Sequence, residues 1–307
     1  MEDRKSFEKI TAEKLYDKVS RKNDLIIIDT LPKELFDKRH LPGARNACVF
    51  QVAFPSEVEA IVADRDREVV LYGSSRASHD SVTAAEKLVR LGYSKVFALT
   101  GGLAAWKEAG YPLEGNDPDS VDEADRFRLD DHTYTVDIGQ SIIEWTGRNP
   151  NTTHYGTLRL LRGDIIVQQG KLNGTFEIDM NSLKNLNLEG NEWQPVLIAH
   201  LKSDDFFFTE KFPTARFTID SARKTGESLS APNFEVEGTL EVRGVRNAMK
   251  FPATVSNLPD GAITAEAHFD FDRTLWKIIY GSSRYFEHLG MHLVFDYISI
   301  GLRIVAR

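Results

Sequence analysis

The chain has 307 residues, of which 41% are hydrophobic and 27% charged, with a formal net charge of -8; that length is a soft prior for two domains of ordinary globular composition. The acidic excess argues against a nucleic acid or an anionic membrane surface as partner, because both need concentrated Lys and Arg. A single cysteine, Cys48, excludes an intramolecular disulfide and a cysteine-based zinc site.

The N-terminus, Met1-Glu2-Asp3-Arg4-Lys5, is charged and no apolar h-region follows, so no secretory leader is read and a cytoplasmic setting is expected. No apolar run reaches the roughly 18 residues of a membrane-spanning helix, so no integral membrane segment is expected. Thr11 reads as an N-cap, with Ala12, Leu15, Tyr16 and Val19 on one helical face. Leu25 to Ile28 is a continuous apolar run ending at Asp29, the pattern of a buried parallel strand, and Val69 to Tyr72 is a second. Asp80 is placed to cap the next helix, whose Val82, Ala85, Leu88 and Val89 share a face and which Gly92 ends. Val96 to Leu99 is a third strand, and Thr100-Gly101-Gly102 opens a short helix through Trp106. Strands alternating with helices predict an α/β domain over residues 1–115, built on a parallel sheet.

Residues 116–129 are acidic at first, poor in apolar residues and include Pro118, which reads as a linker. From residue 130 the apolar period changes to two. Phe176, Ile178 and Met180 alternate with polar residues, as do Ala215, Phe217 and Ile219, then Phe234, Val236, Leu240 and Val242. Ile263, Ala265, Ala267, Phe269 and Phe271 continue the pattern, and Ile298, Ile300, Leu302 and Ile304 end it. One buried face per strand, repeated between turn signals, predicts an all-β sandwich or barrel over residues 130–307.

The N-terminal domain resembles the rhodanese-like family. The resemblance rests on Ile28-Asp29, on His40-Leu41-Pro42-Gly43-Ala44, on the Val69–Tyr72 strand running into a loop and helix, and on Thr100-Gly101-Gly102-Leu103-Ala104-Ala105-Trp106. It implies a cysteine at the end of the central strand that carries a persulfide, with loop amides and a helix N-terminus holding the anion. Here the loop reads Gly73-Ser74-Ser75-Arg76-Ala77-Ser78, with Gly73 at the expected cysteine and Ser78 where a loop variant carries a further one. Serine cannot carry a persulfide, and no His/Asp pair of evident spacing activates Ser78. A phosphatase would need the same missing cysteine. Cys48, beyond the His-Leu-Pro-Gly-Ala turn, reads as a small core or edge-strand residue. The expectation is therefore a domain without catalytic residues, whose loop is retained by the fold or recognises an anion or a protein partner.

The C-terminal domain resembles the YceI family of lipocalin-like barrels. The resemblance rests on Glu144-Trp145-Thr146-Gly147-Arg148, His154-Tyr155-Gly156-Thr157 and the block from Phe176 to Leu183. His200-Leu201-Lys202-Ser203-Asp204-Asp205-Phe206-Phe207 and Glu210-Lys211-Phe212-Pro213-Thr214-Ala215-Arg216-Phe217 are its strongest stretches. Gly238-Thr239-Leu240, Phe271-Asp272-Arg273-Thr274 and Tyr280-Gly281-Ser282 complete it in the family's order. It implies an antiparallel lipocalin-like barrel that carries an isoprenoid, quinone or fatty-acid-like lipid, with no cofactor required. An eight-stranded barrel is wide enough to be filled by side chains or to hold one small ligand. The candidate ligand-lining residues are Trp145, His154, Phe176, Ile178, His200, Phe217, Phe269 and Trp276. Trp145 and Trp276 are candidates for the lining, although aromatics at strand positions are more often core, and Asp204-Asp205 are neighbours that a strand would point to opposite sides. His288 and His292 are four apart but flank a loop-like stretch with no motif glutamate, so no metal is expected. Two rival readings stand beside the carrier: a thiosulfate sulfurtransferase-type enzyme with an unrecognised or partner-supplied nucleophile, and a non-catalytic interaction fusion with a filled barrel.

Overall fold

The computed structural model describes residues 6–21, 24–120 and 127–307. The chain divides into two compact units, Met1–Glu123 and Ala124–Arg307. Of the stretch read as a linker, 121–126 lie outside the described residues; the parts that are described are docked. Asn116 and Asp117 donate their N–H groups to Asp37 O and Lys38 O, both at 2.9 Å. On the far side Phe127 is buried in the second unit, and Arg128 and Asn257 exchange hydrogen bonds of 2.8 and 2.9 Å.

The first unit runs β1 (Glu8–Ile10), α1 (Ala12–Ser20), β2 (Leu25–Asp29), α2 (Lys33–Lys38), β3 (Arg45–Asn46), α3 (Phe54–Ile61), β4 (Glu68–Tyr72), α4 (Asp80–Arg90), β5 (Lys95–Leu99) and α5 (Gly102–Glu108). Its strands are parallel, in the order β1-β5-β4-β2-β3. The apolar runs of β2 and β4 become neighbouring inner strands because each is buried on both faces. Ile28, Val69 and Leu71 enter one apolar cluster, while Ile27, Val70 and Tyr72 enter the other. Thr11 caps α1 by accepting from Lys14 N. Asp80, read as the cap of α4, is its first helical residue; His79 holds the cap position without a side-chain bond. α2, α3 and β3 are too short to show a period, and β1 has only one buried residue.

The second unit runs β6 (His132–Thr135), β7 (Ile142–Arg148), β8 (Thr153–Gln168), β9 (Lys171–Asn185), α6 (Trp193–Lys202), β10 (Thr214–Lys224), β11 (Phe234–Val242), β12 (Val245–Asn257), β13 (Ile263–Asp272) and β14 (Tyr297–Ala306). β8-β7-β14-β13-β12-β11-β10-β9 pair antiparallel in turn, and β9 returns to β8 to close a barrel of eight strands. β6 pairs with the far half of β8, so β6 and β7 share one place in the wall. Register shifts between β8 and β9 and within β10 mark the bends that closure needs. Gly156 is required where β8 crosses β9: a Cβ there would collide with the Lys184 carbonyl. Closure removes the sheet's edges, which selects the barrel over the sandwich.

Two details differ from the strand reading. Trp276 lies in a 3-10 turn, Arg273–Trp276, just after β13. Asp204 and Asp205 lie in the turns after α6, so they do not alternate across a strand.

Candidate functional site

The inward residues of the barrel leave a cavity of about 390 Å³. Its wall on β14 runs from Ile298 to Ile304, about 20 Å of strand at roughly 3.3 Å per residue. Closure of eight strands sets a width that large side chains would fill. Here Ala215, Ala222, Ala253 and Ala265 take inward positions, and those small side chains leave space among the phenylalanines and leucines. Trp145, His154, Phe176, Ile178, His200, Phe217 and Phe269 all line the cavity. Trp276 does not. Its indole N–H donates to Leu240 O at 2.9 Å and its ring packs edge-on against Phe271, so it braces the wall from behind.

The lining changes character along its length. At the inner end it is entirely apolar, with Ile219, Phe234, Val255, Ile263 and Ile304. At the other end it includes Arg148, His154, His200, Arg273, Tyr280 and His292. His154 Nδ1 lies 3.3 Å from Asn187 Nδ2. His200 Nε2 lies 3.2 Å from Asp205 Oδ2, and its ring stands edge-on to Tyr280 at 4.7 Å. Tyr280 Oη in turn lies 3.3 Å from His292 Nδ1. Arg148 donates to Ser299 Oγ at 2.7 Å.

Arg273 is fully buried and donates to the carbonyls of Ile278, Val294 and Phe295, which ties the loop before β14 to the end of β13. Burial pulls its pKa below the ordinary arginine value, and Asp296 and Asp272 pull it back. Three of its donors are bound to backbone carbonyls and Asp296 lies 3.7 Å from Nη2, so its role in the wall is structural. Tyr280 and Arg273 fall in the sequence blocks quoted above, but nothing in the sequence places them at the cavity. α6 supplies Leu197 and Leu201, one turn apart; the signal was an apolar run with that spacing, hidden inside a pattern otherwise of period two.

The loop after β4 is closed on itself. At Gly73, an added Cβ would stand 2.5 Å from Asp80 Cβ and 2.7 Å from Asp80 Oδ2. The Asp80 carboxylate accepts from Ser74 N at 3.1 Å and Ser74 Oγ at 3.2 Å. It thus occupies the space of the missing side chain and holds an amide that would otherwise face an anion. Ala77 N donates to Ser75 Oγ, and Ser78 N to Ser75 O. The first amides of α5 are also engaged: Leu103 N donates to Gly73 O at 2.8 Å and Ala104 N to Ser74 O at 3.0 Å. Arg76 is exposed. Beneath the loop, burial pushes the Asp29 carboxyl up to about 6, against the Tyr72 hydroxyl and the Leu31 N–H, which pull it down. Cys48 is buried just beyond β3.

This hollow barrel and its blocks of sequence match the YceI-like domain model over residues 134–306, more than half of the chain, and the chain belongs to that family. A rhodanese-like domain model matches residues 11–109. Over 93 residues the chain is 35% identical to an adenylyltransferase and sulfurtransferase of Candida albicans, which covers 29% of this chain and 21% of that protein. The chain therefore spans about a fifth of the length of that relative. It is 29% identical over 87 residues to the thiosulfate sulfurtransferase GlpE of Coxiella burnetii, 28% of this chain and 76% of GlpE. Among solved structures, a polyisoprenoid binding domain from Saccharophagus degradans covers 57% of this chain and 97% of its own, with 14% identity and a TM-score of 0.40. Among the described residues no helix is long and apolar enough to cross a membrane.

Proposed function

We propose that this protein is a carrier for one long-chain apolar molecule, an isoprenoid, quinone or fatty-acid-like lipid, held in the barrel, and that its rhodanese-like unit performs no sulfur transfer. The observation that carries the reading is the cavity itself: about 390 Å³, apolar along its inner length and polar at one end. Each methylene buried there contributes about 0.8 kcal/mol, so an extended tail is favoured over a compact polar solute. The histidines and Tyr280 at the polar end suit a head group that accepts or donates a hydrogen bond. The loop after β4 lacks the thiol, and Asp80 stands where that side chain would be. Because the Ser74, Ala77 and Ser78 amides of the loop have internal acceptors, that unit suits recognition of a protein better than of a free anion. Phe50 and Val52 stand exposed on the segment after β3, at the same C-terminal edge of the sheet.

The test is displacement of an environment-sensitive apolar fluorophore by long-chain lipids, run beside a thiosulfate–cyanide assay. The account expects stoichiometric displacement and no sulfur transfer above the uncatalysed rate. A probe that never enters the barrel, or turnover by the purified chain, contradicts the corresponding half.

A further inference from the structure

Helix α6 breaks the usual logic of a surface helix. Such a helix turns an apolar stripe inward and polar residues to water. Here Leu197 and Leu201 face the cavity, yet Trp193, Val196 and Ala199, spaced three apart on the other side, are exposed. Trp193 is 62% exposed and Val196 55%, and no residue of the helix is fully buried. The second element at the polar end repeats the pattern. Phe286, Met291 and Phe295 are exposed, and Met291 and Phe295 also line the cavity. The His200–Tyr280–His292 chain of contacts links the two elements across the opening. An apolar surface is thus continuous from the cavity wall, over its rim, to the outside.

We infer that this rim docks on a lipid bilayer surface, with Trp193, Val196 and Phe286 entering the interfacial region so that a ligand tail passes between membrane and cavity without crossing water. The inference rests on the carrier reading. Two features select a bilayer over a protein partner. The patch flanks the polar end of the cavity on two elements, and Met291 and Phe295 are both exposed and part of the lining, so its natural counterpart is the phase in which an apolar chain dissolves. The exposed Trp193, Val196 and Ala199 of α6 are uncharged, and Lys202, next at that spacing, is bound to Asn181 O at 2.8 Å, whereas Trp and Phe are side chains that settle at a membrane interface. Exposed apolar patches of this kind mark interaction sites.

The test uses the full chain with vesicles of neutral phosphatidylcholine, some carrying brominated acyl chains. The wild-type protein is expected to float with the vesicles and to have tryptophan fluorescence quenched by the brominated chains. The variant Trp193→Ser/Val196→Ser/Phe286→Ser, which changes no cavity-lining residue, is expected to partition at least tenfold more weakly. Its uptake of a fatty-acid probe delivered from ethanol should be unchanged, so failure of docking and failure of the carrier reading are read separately. Wild-type protein that stays off the vesicles, or a variant that partitions equally, overturns the inference. So does a wild-type chain that self-associates while the variant is monomeric, since the patch would then belong to a second copy.

Discussion

The two units enclose apolar interiors built from the same residue types, and the long apolar cavity lies in the second. In the parallel sheet, helices lie on both faces, and side chains such as Leu15, Phe54, Leu88 and Trp106 fill the space between the layers. In the barrel, closure fixes the interior width, and four inward alanines leave it unfilled. The difference also reaches the sites. Where the rhodanese-like unit should present an open loop, Asp80 fills it from within. In the barrel, Arg273 at the polar end is bound to three backbone carbonyls and stays in the wall.

The largest expected effect comes from filling the barrel. Ala222→Trp at the inner end should shorten the space for a tail by three or four methylenes, about 3 kcal/mol or roughly 100-fold in affinity. The loss should fall on long-chain ligands and spare short ones in a competition series. Equal loss at every length would mean that the wall, not its depth, had been damaged.

Gly73→Cys probes the closed loop from the other side. Restoring the thiol forces its Cβ against Asp80, and such overpacking costs about 1–3 kcal/mol of stability in the first unit. Thiosulfate turnover should stay absent. The double variant Gly73→Cys/Asp80→Gly, which removes both the Cβ and the carboxylate that the new side chain meets, should recover part of the stability, read by denaturant unfolding; a single variant as stable as wild type would show that the loop yields and that Asp80 does not close it.

Asp29 gives a pH signature confined to the same unit. Its carboxyl binds protons more tightly folded than unfolded, so stability is full below about pH 4 and falls as pH rises through about 6. Asp29→Asn should remove that loss, raising stability by about 3 kcal/mol at pH 7.5, where an ordinary carboxyl is ionised, with little change at pH 4. A shift of the same size at both pH values would separate the effect from ionisation.

The smallest effect distinguishes the two tryptophans read together from the sequence. Trp276→Phe loses the bond to Leu240 O, about 1 kcal/mol of stability, and should leave ligand affinity within a few-fold. Trp145→Phe changes the cavity wall itself and should alter affinity. Affinities that change equally would place Trp276 at the ligand.

Much of this architecture was legible before any coordinates. The buried parallel strands announced themselves as continuous apolar runs, and the barrel wall as alternation, because each pattern follows directly from which faces meet water. Trp145, His154, Phe176, Ile178, Phe217 and Phe269 lie on the cavity because inward direction is a local property of a strand, whereas His200 reaches it from α6. Trp276, a candidate for the lining or the core, packs in the core from a 3-10 turn, where neither period applies. Asp80 was read as a cap, since sequence shows that an aspartate starts a helix but not which amide its carboxylate reaches. Whether the barrel was hollow or filled was illegible for a related reason: the void is a sum over eight strands, and no single segment records it.

The most direct measurement is native mass spectrometry of the purified full chain, followed by organic extraction of whatever it releases. The account predicts one long-chain apolar molecule per chain, or its stoichiometric uptake when the empty protein is incubated with such a lipid. A clean mass for the bare chain, with no lipid taken up on incubation, would contradict it.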